Sequence, residues 1–557
     1  MKSDKRKKQK LHNKVTFKPY VQNQGWLLPP SIGDLIPSGH QVRLVSEAIE
    51  GLDLSPILNT YEGGGTSNYH PRMMLKVLVY GYIEKLYSSR KIAKALHENI
   101  CFMWLSGHQH PDHNTLNRFR NSQLKQTVKD VFAQVLYLLI EQGRVLLHDY
   151  YLDGTKLESV AGRYTFVWAK NTARYKSSVL DKIAVLIEQI ESANEKAESA
   201  AQKELVQTTP ITDSHALSQT IQDMNAQLAE QLGQNKQLKK KLSRLETELL
   251  PKLQKYEEQE KLLKGRNSYS KTDPDATFMR TKEDHLQNGQ LKPSYNIQLG
   301  TEQQYIVNYT VHQTASDMVA FTAHMDETLA LLESIDAPKP KRIGADAGYG
   351  SEENYQYLEH QGIEAYIKYP GYYKERQNKP LSKRPFPYSS LYYNEAGNYF
   401  VCPMGQKMTF VKTEKQKTKT GFVQTIHQYQ ARRCTHCPLR GACHKAANNR
   451  IIEVNWNSKK YRHKAKNKLK SLKGKRMKVQ RNIDVEAVFG HIKQDRNFRR
   501  FSLCGLDGVK TEFGLIALAH NFKKWHTQLK AKGRVVFVHP PKSPNPTPDN
   551  PKMLIRA

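Results

Sequence analysis

Long apolar runs are missing from this chain. No stretch approaches the roughly 18 apolar residues that a membrane-spanning helix needs. The best, Val131 to Ile140, is short and broken by Gln134, so no membrane partner is expected. The basic opening, Met1 to Lys10, has no apolar segment behind it and does not read as a secretory signal. Cysteine is also scarce. Six in 557 residues do not make a disulfide scaffold, and a reducing, cytoplasmic setting follows. Acid is short as well: 86 Lys and Arg stand against 53 Asp and Glu, a formal net charge of +33. The length exceeds the roughly 250–300 residues at which a single core stops growing, which predicts several domains.

The positive charge is uneven. It gathers in the tail Lys2 to Lys18 and in the run Lys459 to Arg481, and no acid occurs between Glu453 and Asp484. Such runs neutralise phosphates and release counterions. With no amphipathic anchor beside them, they favour nucleic acid over a membrane surface or a merely solvated face. Lys459, Lys460, Arg462, Lys475, Arg476 and Lys478 are the contacts expected in the second run.

Along the chain, residues 1–40 read as a basic arm and 41–143 as a helical domain. There Pro71 to Tyr87 is apolar at helical spacing, Ser89 can cap Arg90 to His97, and Asp112 can cap His113 to Asn121. Short helices bearing Arg90, Lys91, Arg118 and Arg120 fit a helix-turn-helix-like DNA reader, and a plain helical packing domain fits equally. Strand character begins at Arg144 to Asp153 and recurs at Thr165 to Ala169, within a segment 144–175.

Residues 176–264 are then nearly free of Gly and Pro. Ile221, Leu228, Leu242 and Leu249 fall on one heptad seam, with Asn235 among them. Leu217, Met224, Leu238 and Leu245 fall on the other. Leu180, Ile183, Ile187, Ile190 and Ala197 form a weaker pattern before a break at Thr208 to Ser214. An antiparallel helical hairpin is expected, with a dimerising coiled coil as its rival.

Strands and helices alternate again over 265–369: Tyr295 to Leu299, Tyr305 to His312, a helix from Asp317 to Ile335, Lys341 to Ala345, a helix from Glu352 to Gln361, and Glu364 to Lys368. Residues 370–455 are turn-rich and β-leaning, 456–530 are helical, and the Pro-rich tail 531–557 reads as disordered.

Three acids sit where α/β sheets bind ligands. Asp153 is expected at the C-terminal end of the first strand, Asp346 at the end of a later one, and Glu486 in the first turn of a helix. Converging carboxylates suit Mg²⁺ or Mn²⁺, and two ions about 3.5–4 Å apart assist in-line phosphoryl displacement. Lys493 follows Glu486 by seven residues, two turns along one α-helical face, and Arg481 precedes it, so either cation could meet a phosphate. Any one of these acids, taken alone, reads equally as a cap or turn residue.

Four cysteines gather in the β-leaning segment. Cys434 and Cys437 form a CxxC pair, Cys443 follows, and Cys402 lies upstream. Four thiolates from short turns suit a tetrahedral, structural Zn²⁺, with His436 or His444 able to replace one ligand. Cys101 and Cys504 read as core residues.

Tyr151-Leu152-Asp153-Gly154-Thr155-Lys156-Leu157-Glu158, Ala345-Asp346-Ala347-Gly348-Tyr349-Gly350 and Val485-Glu486-Ala487-Val488-Phe489-Gly490-His491-Ile492-Lys493 resemble the catalytic blocks of bacterial insertion-sequence DDE transposases. The nearest group is the one spelled IS-eleven-eighty-two, in the IS-four-like class. His70-Pro71-Arg72-Met73-Met74-Leu75 through Arg118-Phe119-Arg120 resembles their N-terminal helical domain. Thr272-Asp273-Pro274-Asp275-Ala276 and Ala519-His520-Asn521 are similar too.

The resemblance implies an α/β, ribonuclease-H-like core built from 144–175, 265–369 and 456–530, interrupted by the helical hairpin and the Cys-containing insertion. Asp153, Asp346 and Glu486 would be its metal ligands. Lys493 matches the lysine of the signature Tyr-x2-Arg-x3-Glu-x6-Lys. The chain departs from that signature at Asn482 and Val479, which stand where the arginine and tyrosine are expected, and Arg481 is one position off.

The implied activity is a nucleoid-associated transposase acting on double-stranded DNA as a homodimer or larger assembly. It would bind terminal inverted repeats, cut them, and transfer the freed 3′ ends to target DNA. A nuclease of the same fold without strand transfer is the rival reading. An inactive zinc-containing DNA-binding protein is the third.

Overall fold

The computed structural model describes residues 31–61, 68–195, 211–227, 236–281, 289–377, 379 and 385–531. Most of the basic arm, the Pro-rich tail, and Ala197, Leu228 and Asn235 of the heptad pattern lie outside these residues.

The N-terminal part is helical: Gln41–Glu50, Ser55–Leu58, Pro71–Ile83, Ser89–Glu98, Ile100–Ser106, His113–Asn121 and Gln123–Glu141. Asp112 accepts the Thr115 N–H at 2.6 Å, the cap expected from sequence. The Pro71 helix stops short of Tyr87. Lys85 turns to a φ of 63°, and the Leu86 N–H folds back to the Gly81 carbonyl at 2.8 Å. Met74, Leu75, Val77, Leu78, Tyr82 and Ile83 are buried. This helix and Gln123–Glu141 pack on the long C-terminal helix Leu506–Ala531. The helical part and the sheet therefore share one hydrophobic core, running from Ile36 to Leu529.

The sheet is mixed. Strand β1 (Asp149–Glu158) lies at its centre; β2 (Phe166–Trp168) and β3 (Ser268–Ser270) form a separate two-stranded ladder. β4 (Thr277–Arg280), β5 (Leu291–Glu302), β6 (Tyr305–His312), β7 (Arg342–Ala345) and β8 (Glu364–Ile367) complete the main sheet. β5 runs antiparallel to β1 and pairs on its far side with both β4 and β6. β7 runs parallel to β1, and β8 parallel to β7.

β1 starts later than the apolar run beginning at Arg144 suggests. The buried Glu302 carboxylate accepts the backbone N–H groups of Leu146, Leu147, His148 and Asp149, at 2.5–2.9 Å, and this hooks the chain before the ladder begins. β1 also continues past Asp153. Its β5 ladder reaches Glu158, whereas its β7 ladder stops at Leu152 opposite Ala345. Asp153 thus sits mid-strand, where the β7-side edge of β1 becomes free, rather than at a strand end.

Between β2 and β3 the chain makes a helical excursion: Ala169–Glu195, Ser214–Gln227, Lys236–Arg244, and Leu250–Leu263. Lys176 meets Glu260 at 2.8 Å, and Lys241 Nζ lies 3.5 Å from the Gln189 carbonyl, so the outer helices run antiparallel. Ile183, Ile187, Ile190, Leu217, Ile221, Met224, Leu238, Leu242, Leu245 and Leu249 are buried in a core of their own. The described seam residues are thus covered within one chain. A wide π turn, Leu245–Leu249, precedes Pro251, whose missing N–H deletes one helical bond and whose ring crowds the preceding turn.

The Cys-containing segment forms an antiparallel sheet of β9 (Tyr393–Asn394), β10 (Tyr399–Val401), β11 (Lys407–Lys417), β12 (Val423–Ala431) and β13 (Ile451–Val454). Helices Trp456–Lys470 and Leu472–Arg481 follow, divided at Ser471. Helical geometry then continues through Asp495, with π turns at Asn482–Glu486 and His491–Asp495. Glu486 consequently lies inside a long helical run, not in a first turn. The α-helical spacing used to align Lys493 with Glu486 is broken by the same wide turns.

Candidate active site

Neighbouring residues on β1 face opposite sides of the sheet. Tyr150 meets His324 of the Asp317–Ser334 helix at 2.7 Å, and Tyr151 meets Met477 of the Leu472–Arg481 helix at 3.4 Å. Asp153 shares the second side. Its Oδ1 accepts the Gly154 N–H at 2.9 Å, and its Oδ2 lies 3.4 Å from Arg481 Nη1. The same Nη1 lies 3.1 Å from Glu486 Oε1. Sequence-distant Asp153 and Glu486 are thereby brought together around one guanidinium. Arg481 is deeply buried, and its Nε has no acceptor among the described residues.

Asp346 follows β7 directly and caps the short turn Ala347–Tyr349, accepting the Gly348 N–H at 2.8 Å. The turn buries Tyr349, whose hydroxyl donates to Gln298 Oε1 on β5. Burial, then the charges of Asp153, Asp317 and Asp346, hold that phenol well above its ordinary range, so it stays neutral. The charges of all three acids thus reach one buried phenol.

Asp317 was legible only as a helix start. The signal that could have marked it lies on β5, where the amides of Asn296 and Gln298 alternate with apolar Tyr295, Ile297 and Leu299 and are fully buried. Both amides donate to Asp317 Oδ1, at 2.8 and 2.9 Å. Among the described residues, no three His, Cys, Asp or Glu side chains are grouped so as to hold a metal ion.

The cysteines do converge. Cys402, Cys434, Cys437, Cys443, His444 and Arg450 line one cavity of about 20 Å³. Cys434 Sγ accepts the Arg450 backbone N–H at 3.4 Å, and Cys443 Sγ accepts from the Arg450 guanidinium at 2.8 Å. Both ring nitrogens of His444 are buried without a partner among the described residues, and burial lowers its pKa. His436 sits in the turn between Cys434 and Cys437 with a φ of 59°.

The expected DNA contacts divide. Arg90, Lys91, Arg118, Lys460, Lys475 and Arg476 are exposed. Arg462 pairs with Glu375 at 3.1 Å, Lys478 donates to the Tyr372 hydroxyl, and Lys459 packs over Trp456. Arg120 is a correction. It is buried, and its guanidinium is occupied by the Tyr82 hydroxyl, the Tyr87 carbonyl and Asn117, so it ties helices together and is not available to a phosphate.

Residues 401–526 match the family model of a transposase DDE domain. Residues 30–122 match a second model, the transposase domain DUF772. The first match contains the cysteines, the basic helices and Glu486; Asp153 and Asp346 lie outside it. Together the two matches support a DDE transposase in general. No curated protein and no solved structure matches the chain. Among the described residues no helix is long and apolar enough to cross a membrane.

Proposed function

We propose that this chain is a DNA transposase with a ribonuclease-H-like core, one that cuts the terminal inverted repeats of an insertion sequence and joins the freed 3′ ends to target DNA. The observation that carries this reading is the meeting of Asp153 and Glu486 at Arg481, beside the Asp346 turn, in a chain matching two transposase domains. The sheet order β6–β5–β1–β7–β8, with β7 and β8 parallel to β1 and β5 and β6 in an antiparallel meander, supports the core assignment.

By donor type the site suits a hard divalent cation, Mg²⁺ or Mn²⁺: its groups are carboxylate oxygens, not drawn into a group of three among the described residues, and two of them hold a buried positive charge. Asp153, Asp346 and Glu486 would hold such an ion, and the chemistry it would supply there is polarisation of a phosphate and activation of a water or 3′-hydroxyl. The remaining work falls to the chain itself. Arg481 offers its unpartnered Nε to a phosphate oxygen, and Lys493 orients the strand. Exposed Arg90, Lys91, Arg118, Lys460, Lys475 and Arg476 supply phosphate contacts. Four cysteine sulfurs around one small cavity, two already accepting N–H bonds, suit a structural Zn²⁺ that Cys402, Cys434, Cys437 and Cys443 would hold. Pairing two DNA ends calls for at least two protomers.

The test is incubation of the full chain with its element's own ends, a plasmid target and Mg²⁺, followed by mapping of nicks and joined products. Nicks at the element ends plus joined products are expected, both absent in Asp153→Asn. Nicks without joining would favour a nuclease. An Asp153→Asn protein that cuts like wild type would overturn the site.

A further inference from the structure

We infer that Asp317 is a fourth carboxylate of the acid site, serving the same divalent cation as Asp153 and Asp346. The inference rests on the reading above and extends it to a residue outside the three blocks.

The geometry is specific. Asp317 begins the helix that covers the Tyr150 side of the sheet, whereas Asp153 faces the other side. β7 ends opposite Leu152, and the next backbone partner on that edge of β1 is the Arg500 segment at Glu158, so the stretch that begins at Asp153 has no strand beside it there and groups from both faces can reach it. Two glycines keep this gap narrow. A Cβ on Gly154 would stand 2.6 Å from Asp317 Oδ1, and a Cβ on Gly348 would stand 2.9 Å from Asp346 Oδ1 and 3.9 Å from Asp317 Oδ2. Asp317 and Asp346 thus both flank the Gly348 turn, and Asp317 lies against Gly154, the β1 residue next to Asp153.

The bonding of Asp317 is asymmetric. Oδ1 accepts both buried amides, Asn296 and Gln298, which fix the carboxylate without neutralising it. Among the described residues neither Asp317 nor Asp346 has a salt-bridge partner, in a chain of net charge +33. A second observation points independently to a ligand at this site. Arg481, with its side chain only 6% exposed, reaches in to Asp153 and leaves Nε buried without an acceptor. The site therefore presents unneutralised acid from one side and an unused buried donor from the other, complementary to a cation and the phosphate oxygen beside it.

The test uses the full chain and Mn²⁺ alone, without DNA, with free Mn²⁺ followed by electron paramagnetic resonance and folding by thermal unfolding. Asp317→Asn is expected to weaken Mn²⁺ binding at least about tenfold, as Asp153→Asn does, while remaining folded. Wild-type Mn²⁺ affinity in Asp317→Asn, with affinity lost in Asp153→Asn, would overturn the inference and leave Asp317 a helix-start residue. Unchanged affinity in both variants would instead remove the acid site itself. Should Asp317→Asn fail to fold, the wild-type protein decides through backbone cleavage by Fe²⁺ and ascorbate. Cuts near Asp317 that Mg²⁺ suppresses support the assignment, and cuts confined to the Asp153 and Glu486 segments overturn it.

Discussion

Arg481 Nη1 stands between Asp153 Oδ2, at 3.4 Å, and Glu486 Oε1, at 3.1 Å. One guanidinium thus ties the central strand to the C-terminal helical run. Asp153 is almost fully buried while the Glu486 side chain is 49% exposed, so the Asp153 half of the contact carries most of the electrostatic weight.

Removing that cation should strand a buried carboxylate. Arg481→Ala is expected to lose about 3 kcal/mol of stability in metal-free buffer. Mn²⁺ should then stabilise the variant more than wild type, because the ion no longer competes with a resident guanidinium. Urea unfolding with and without Mn²⁺ measures both. An equal Mn²⁺ effect on the two proteins would argue against a shared place for ion and arginine.

The cysteine cavity makes a separate prediction. Purified wild type should carry about one zinc per chain, and Cys434→Ser or Cys437→Ser should carry little. Elemental analysis decides the point. Chelation should lower the unfolding temperature of wild type and leave the already weakened variants unmoved.

His520 supplies a pH dependence. It is fully enclosed, with Nε2 2.8 Å from the Gln304 carbonyl. Burial first, then the charges of Arg496, His491 and Lys524, bring its pKa down to about 3 from an ordinary 6.5. Below pH 6.5 the unfolded chain takes up a proton that the native chain refuses. The stabilising contribution is therefore complete above pH 6.5 and lost as pH falls toward 3. The stability of His520→Asn should fall less steeply than that of wild type across this window, as read by denaturant unfolding at stepped pH.

The helical excursion should be removable. Its two ends meet at the β2–β3 ladder, where Trp168 faces Ser268, and its leucines pack in a core separate from the main one. Replacing residues 169–267 by an Asn-Gly turn should preserve a cooperative unfolding transition for the rest of the chain. Loss of that transition would show that the excursion supports the main core.

Local elements were largely legible. β6 spans Tyr305–His312 and the next-but-one helix Glu352–Gln361, as their residue patterns indicate, because strand and helix periodicities are written in adjacent residues. The errors came from contacts made by distant residues. Glu302 delayed the start of β1 by capturing four N–H groups. Arg120 looked like a surface cation until Tyr82 of the Pro71 helix and Tyr87 in the loop after it claimed it.

The acid site divides along the same line. By itself the sequence determined the alternation of strands and helices, the leucine seams and the concentration of positive charge before Glu486, since each depends on composition or short-range spacing. Only the tertiary structure decided that β1 outruns β7 at Asp153, that Arg481 joins Asp153 to Glu486, and that Asp317 comes round to the Gly348 turn beside Asp346. Those relationships depend on strand register and on the packing of segments far apart in the chain, which no local pattern encodes.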